Sequence, residues 1–307
     1  MMISIVTPTY NEIENIENIY NKIKEEFKKI DCDYEHIIID NNSDDGTIIK
    51  IKELASKDKN LKIIINAKNY GHIRSPYYGL LQTSGDASII MASDFQDPVE
   101  LIPEYIEKWK EGNKIVLGEK ISSEENKIKF LTRKLYYNFL NKISEFELPK
   151  NTTGAGIFDK SVIQKLKKIN DPYPYFRGLI SEIGENISTI KFNQPQRKSG
   201  TTKNNLFTLY DIGMLGIVKN SRKPLRFMTL LGFSASMVSF VIGIIYLFYK
   251  LLFWDSFSLG IAPIVIGIFI VSSIQITLLG LVGEYIGIIL LHQRNMPLVV
   301  EKERVNF

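Results

Sequence analysis

A chain of 307 residues is long enough for one large domain with an appendage, and 38 lysines and arginines against 34 aspartates and glutamates leave a net charge of only +4. That mild balance, with no Cys/His zinc spacing, no P-loop and no basic-aromatic platform, argues against a nucleic-acid partner. The single cysteine, Cys32, excludes an intrachain disulfide and suits a reducing compartment.

The first residues, MMISIVTPTYNE, lack a basic n-region and read as a strand rather than a secretion signal. Residues 3–6 form a short β-branched run stopped by Thr7-Pro8-Thr9. Apolar Ile16, Ile19, Ile23, Phe27 and Ile30 recur every three or four positions, which predicts an amphipathic helix over 15–30. A second strand is expected at 34–39, a helix at 47–57, a third strand at 61–65, a helix at 75–83 and a fourth strand at 87–91. A helix at 101–109 and a strand at 114–118 continue the alternation. Strands alternating with helices predict a mostly parallel, doubly wound α/β sheet.

Residues 127–143 place Ile128, Leu131, Leu135, Phe139 and Ile143 on one face among Lys127, Lys129, Arg133, Lys134 and Lys142. Such a basic amphipathic helix suits either an anionic membrane surface or core packing with a solvated basic face. Residues 206–218 are amphipathic too and directly precede an uncharged stretch, 227–249, so they are expected to lie on the membrane surface. A second uncharged stretch covers 256–283. Each exceeds the ~20 apolar residues a helix needs to cross a bilayer, which predicts a transmembrane hairpin. Lys219, Arg222, Lys223 and Arg226 precede it and Arg294, Lys302 and Arg304 follow it. The positive-inside rule then puts both termini and the large domain in the cytoplasm, on a multi-pass protein of the inner membrane. The expected organisation is a cytoplasmic domain at 1–203, a juxtamembrane helix at 204–226, a hairpin at 227–291 and a cytoplasmic tail at 292–307. Small residues at Gly232, Ser236, Ser239, Gly243, Gly267 and Gly280 suit close helix contacts, including those of a homo-oligomer.

Three polar turns follow predicted parallel strands, at 7–12, 40–47 and 93–97, and ligands of open α/β sheets sit at that edge. The acidic island Asp94-Phe95-Gln96-Asp97-Pro98 is the strongest of them. It is either an ordinary solvated turn or a site for a hard divalent cation, Mg2+ or Mn2+, that chooses oxygen ligands and brings a phosphorylated donor. In the metal reading Asp94 is the chief ligand, Gln96 adds a carbonyl oxygen, and Asp97 ligates or supports from behind. Asp40 and Asn41 can accept hydrogen bonds from a base or ribose, while 43–47 equally suits a helix N-cap. A basic loop, Arg197-Lys198-Ser199-Gly200-Thr201-Thr202-Lys203, offers cations, hydroxyls and a glycine to phosphate oxygens, or else a charged membrane anchor.

Pro8-Thr9-Tyr10-Asn11-Glu12, the 40–47 turn, Asn69-Tyr70-Gly71, the acidic island and Arg197-x-x-Gly200-x-Thr202-Lys203 resemble, in order, the motifs of family-2 glycosyltransferases. The two C-terminal spans narrow the resemblance to the dolichyl-phosphate mannose synthase and bactoprenol glucosyltransferase branch. It implies a GT-A (Rossmann-like) domain followed by two transmembrane helices, a nucleotide-sugar donor, a divalent cation, a polyprenyl-phosphate acceptor and inversion at the anomeric carbon. It assigns donor contacts to Pro8, Tyr10, Glu12, Asp40, Asn41, Asn69, Asp94 and Thr202, and catalytic roles to Asp94, Asp97, Arg197 and Lys203. Two positions depart from the pattern. Ala92 stands where the family often has the first Asp of Asp-x-Asp, and Ala155 where it often has a proposed base. A phosphate acceptor needs no base, because its second pKa is about 6. Asp159 is then a structural cap or a secondary acid/base residue. The competing expectation, motivated by the same two alanines, is an inactive relative that scaffolds a membrane glycan complex.

Overall fold

The computed structural model describes residues 1–123, 127–149, 151–195, 206–253 and 261–307. In the first half of the chain, strands and helices alternate: β1 (Met2–Thr9), α1 (Ile16–Lys29), β2 (Asp33–Asp40), α2 (Thr47–Lys57), β3 (Leu61–Asn66), α3 (Gly71–Leu81) and β4 (Ala87–Ile90). Then come α4 (Ile102–Lys110), β5 (Ile115–Ser123), α5 (Lys127–Ile143), β6 (Thr152–Asp159), α6 (Lys160–Lys167), α7 (Phe176–Glu182) and β7 (Ile187–Gln194). Three helices follow, α8 (Leu206–Asn220), α9 (Lys223–Leu252) and α10 (Ile261–Gln293), and the chain returns as β8 (Glu301–Val305).

The strands form one sheet of eight in the order β7-β5-β6-β4-β1-β2-β3-β8. Pairs β1–β2, β1–β4, β2–β3 and β5–β7 are parallel, and β4–β6, β5–β6 and β3–β8 are antiparallel. The expected mostly parallel sheet is therefore a mixed one. The difference arises because β6 enters beside β4 in the reverse direction, a pairing that hydrophobic periodicity does not encode.

Successive side chains of the central strands face opposite layers. Ile3, Ile5, Ile38, Ile63 and Ile89 pack under α1, α2 and α4, whereas Val6, Ile37, Ile39 and Ile64 pack against α3, α6 and α7. Strands covered on both faces read as continuous apolar runs, as 37–39 and 63–65 do. Each fully buried isoleucine contributes about 1.5–3 kcal/mol of transfer free energy. Helix α3 approaches closely because a Cβ on Gly79 would stand 2.9 Å from the side chains of both Ile39 and Val6.

The segment read from sequence as a tail is part of the sheet. Ile63, Ile64 and Ile65 of β3 stand opposite Val305, Arg304 and Glu303 of β8. Arg74 donates to the carbonyls of Pro297 and Leu298 at 2.7 and 2.8 Å, and Tyr78 Oη to Glu301 Oε1 at 2.8 Å. Four consecutive charged residues, Glu301 to Arg304, hid this strand, and charged side chains are common on edge strands.

Where the long helices meet the domain, Leu140, Leu148, Tyr175 and Leu215 form a third apolar cluster with Tyr136, Tyr137 and Ile288 against it. Tyr136 Oη donates to the Gly213 carbonyl at 2.9 Å, and Tyr285 Oη to that of Ser221 at 2.9 Å. Lys219 Nζ contacts both oxygens of the buried Asp171 at 2.5 and 2.6 Å. Helix α5 thus packs on the core through Tyr136 and Leu140, while Leu135 and Phe139, expected on its apolar face, are exposed. Helix α9 exposes Phe227, Leu230, Phe233 and Met237 along its length, and α10 exposes Ile268, Ile276, Leu279 and Ile289. Among the described residues one segment, Ile270–Gln293, is long and apolar enough to cross a membrane, and none of it is buried.

Candidate active site

The carboxyl ends of β1, β2, β3 and β4 lie side by side at one edge of the sheet, and they bring the polar turns together. The turns after β1 and β2 are locked to each other. Asn11 sits at φ +54°, a left-handed conformation that Asn tolerates better than most residues. It exchanges hydrogen bonds with Asp44, Nδ2 donating to Oδ1 at 2.7 Å and Asp44 N donating to Oδ1 at 3.0 Å. Its backbone N–H donates to Ser43 Oγ at 2.8 Å. Asp45 accepts from Thr47 N at 3.0 Å and so closes the start of α2. Burial alone raises the Asp45 pKa, but bonds from Thr47 and Ile13 outweigh it and leave the carboxyl below its ordinary range.

Asp40 is fully buried and accepts from Ser43 N at 2.8 Å and Ser43 Oγ at 2.6 Å. Burial pushes its pKa up, against the pull of those bonds. Asn41 is the hub of an amide network. Its Oδ1 accepts from Asn66 Nδ2 at 3.0 Å and Tyr70 N at 2.8 Å, and its Nδ2 donates to Asn69 Oδ1 at 2.8 Å and the Gly71 carbonyl at 3.2 Å. Asn69 Oδ1 also accepts from Gly71 N at 2.8 Å. Asn41 and Asn69, both expected at the donor site, are thus brought together at this edge and bonded to each other. Asn66 and its partner Ser75 Oγ, at 2.9 Å, were not anticipated; an Asn ending an apolar strand is the signal that could have found them.

Glu12 is buried, accepts from Asn15 Nδ2 at 2.6 Å, and offers its carbonyl to Asn15 N and Ile16 N. These bonds start α1. Pro8 accepts from Ser93 Oγ at 3.2 Å through its carbonyl, which ties the end of β1 to the acidic turn. Tyr10 is half-buried at the same edge.

In the acidic turn, Asp94 Oδ1 accepts from Gln96 N at 3.1 Å, and Phe95 is left-handed at φ +60°. The Phe95 ring is buried in the core, which anchors the turn and leaves Asp94 and Gln96 half-exposed on either side, with Asp97 buried behind them. Among the described residues no group of three or more His, Cys, Asp or Glu gathers as a metal cage. The donor set of two carboxylates and an amide oxygen nevertheless fits Mg2+ or Mn2+, which are held by one or two carboxylates and completed by substrate phosphates. Arg197, Thr202 and Lys203 lie outside the described residues.

Asp159 is at the opposite edge. It ends β6 across from Ala87, at the start of β4, and accepts from Ser161 N at 2.8 Å and Trp109 Nε1 at 2.9 Å. It caps α6 and takes no part in the site.

Comparison with known proteins agrees with this arrangement. Residues 4–167 match glycosyl transferase family 2. An uncharacterized glycosyltransferase of Bacillus subtilis is 32% identical over 97% of this chain and 92% of its own length. A prophage-derived bactoprenol glucosyl transferase of Shigella flexneri is 29% identical over 99% of this chain and 98% of its own length. Among solved structures, the mannosyl-3-phosphoglycerate synthase of Rubrobacter xylanophilus shares the fold at a TM-score of 0.51 and 15% identity, covering 74% of each chain. With a mixed Rossmann-like sheet of the GT-A kind and an acidic turn at its carboxyl edge, the chain belongs to glycosyl transferase family 2.

Proposed function

We propose that this glycosyltransferase moves a hexose, with inversion, from a nucleoside-diphosphate sugar to a polyprenyl phosphate at the cytoplasmic face of the inner membrane. A UDP-sugar is the favoured donor. The observation that carries the reading is the acidic turn at the carboxyl edge of a sheet whose own chain runs on into exposed apolar helices and then returns to the sheet through β8. A soluble-acceptor enzyme needs no such helices. The names of the Shigella relatives support a polyprenol carrier and a glucosyl group.

In the proposed reaction an acceptor phosphate oxygen attacks the anomeric carbon. The bond from that carbon to the donor's diphosphate breaks, and nucleoside diphosphate leaves. The acceptor is already largely ionised near pH 7, so Ala155 in place of a base is no obstacle. Asp94, with Gln96 and Asp97, would hold a divalent cation that offsets the charge of the leaving diphosphate. The Asn41–Asn69 network would hold the floor against which the nucleotide sits, and Arg197, Thr202 and Lys203 would contact phosphate on sequence grounds. Helices α9 and α10 would form the membrane hairpin, with α5 and α8 at headgroup depth. Positioning both reactants in line then supplies much of the rate.

The test is donor turnover with and without polyprenyl phosphate, each at graded Mg2+ or Mn2+. The proposal expects acceptor-dependent, metal-dependent release of nucleoside diphosphate. A folded protein that turns over no nucleotide sugar under any of these conditions would instead be the scaffold that Ala92 and Ala155 bring to mind.

A further inference from the structure

Arg177 carries a charge that the described residues leave incompletely used. It lies in α7, and its guanidinium stands 4.9 Å from the centroid of the Tyr137 ring of α5. Nη2 donates to the backbone carbonyl of Thr152, the first residue of β6. Nη1 is buried and has no hydrogen-bond partner among the described residues. The hydroxyl of Thr152, a residue only 2% exposed, is also buried and without a partner among the described residues. Two unsatisfied donors on contacting residues are uncommon, because buried polar groups are nearly always paired. Nor does Arg177 have a carboxylate partner among the described residues. Glu119, opposite Thr152 in the β5–β6 ladder, accepts from Thr189 Oγ1 of β7 at 3.0 Å.

The location narrows what could supply the missing acceptor. Strand β6 runs antiparallel to β4, with Gly156 opposite Ile90, so its first residues lie at the edge where β4 runs into the acidic turn. Thr152 is on the β6–β5–β7 side of that edge, away from β1, β2 and β3, whose ends carry the amide network. On its other side Tyr137 and the neighbouring Tyr136 reach the cluster that holds α8 and Ile288 of α10. A ligand here would touch the catalytic edge with one end and the base of the apolar helices with the other. An aromatic-backed guanidinium with free N–H groups and an adjacent hydroxyl suits phosphate oxygens, which accept several such bonds at once.

We infer that Arg177 and Thr152 form the subsite for the phosphate of the lipid acceptor, distinct from the donor's diphosphate subsite. This rests on the polyprenyl-phosphate reading above. The experiment measures transfer to a short-chain polyprenyl phosphate in detergent by wild type, Arg177→Met and Arg177→Lys, with acceptor KM, donor KM, and the thermal midpoint of each purified protein. Arg177→Met is expected to raise acceptor KM at least tenfold while donor KM changes less than twofold. Arg177→Lys keeps the charge but not the planar fork, so it is expected to fall between. Should Arg177→Met not fold, the Lys variant alone decides, with a rise of threefold or more in acceptor KM expected. Unchanged acceptor KM in a folded variant, or equal rises in both KM values, overturns the subsite while leaving the reaction standing. Failure of wild type to use any polyprenyl phosphate removes the functional reading, and the subsite with it.

Discussion

Ile64 of β3 and Arg304 of β8 face each other across an antiparallel ladder, so the chain that leaves the sheet for its long helices comes back to the sheet's edge. The helices are therefore fastened at both ends, by α8 at the start and by β8 at the finish. A fragment of residues 1–203 lacks β8 and exposes the edge of β3, which is an invitation to aggregation.

Asn306 holds the end of this return. Its Nδ2 lies 2.8 Å from the carbonyls of Ala55 and Leu61. Asn306→Ala is expected to lower unfolding stability by about 1–3 kcal/mol, the range for leaving buried partners unsatisfied. Denaturant titration of the detergent-solubilised protein measures it. A loss below a few tenths of a kcal/mol would mean that β8 is only loosely held.

Asp94→Asn keeps an oxygen to accept from Gln96 N, so the acidic turn should survive while its chief anionic ligand is lost. Turnover is expected to fall about 100-fold or more, in line with removing one electrostatic stabiliser from a catalytic site. Thermal midpoints of the two proteins should agree within a degree or two. Wild-type turnover in the folded variant at saturating metal would contradict the assignment.

Asn41→Ala would strip partners from Asn66, Asn69 and Tyr70 together. A stability loss of about 1–3 kcal/mol is expected, with weaker nucleotide binding as the floor of the edge relaxes. Isothermal titration with the nucleoside diphosphate reads the affinity and denaturant titration the stability; an unchanged stability would contradict the role given to the network.

His36 gives the fold a pH dependence. The ring is 1% exposed and shares a hydrogen bond of 2.9 Å with Thr7 Oγ1. Burial lowers its pKa from 6.5 to about 3, with Asp58 a weaker opposing influence. Between those values the unfolded chain binds a proton that the folded protein refuses, so stability falls as pH drops from about 6.5 towards 3. The slope expected from this one group is up to about 1.4 kcal/mol per pH unit. Unfolding at pH 7 and pH 5 should show a smaller difference in His36→Gln than in wild type. An undiminished difference would assign the acid sensitivity to other groups.

Much of this could be read from residue order because the signals were local. The apolar spacing of Ile16, Ile19, Ile23 and Phe27 predicts α1, and the run 34–39 predicts β2. The acidic island stands out by composition alone. What escaped was non-local. The reversal of β6 beside β4 depends on contacts between distant segments, and β8 opens with four charged residues whose pairing with β3 no periodicity reveals. The bonds of Asn41 to Asn66 and of Glu12 to Asn15 escaped for the same reason: amide and carboxylate look alike in sequence whether they face a ligand or another turn. Arg177 lies in no motif, and only its packing against Tyr137 and Thr152 singles it out.

The most direct measurement is product analysis. The purified protein is incubated with a UDP-hexose, Mg2+ or Mn2+ and a short-chain polyprenyl phosphate, and the lipid fraction is examined by mass spectrometry and NMR. The account predicts a polyprenyl phosphate carrying one hexose, linked with the anomeric configuration opposite to that of the donor. Efficient transfer to a soluble sugar or peptide with no lipid-linked product, or a lipid product that retains the donor's configuration, would contradict it.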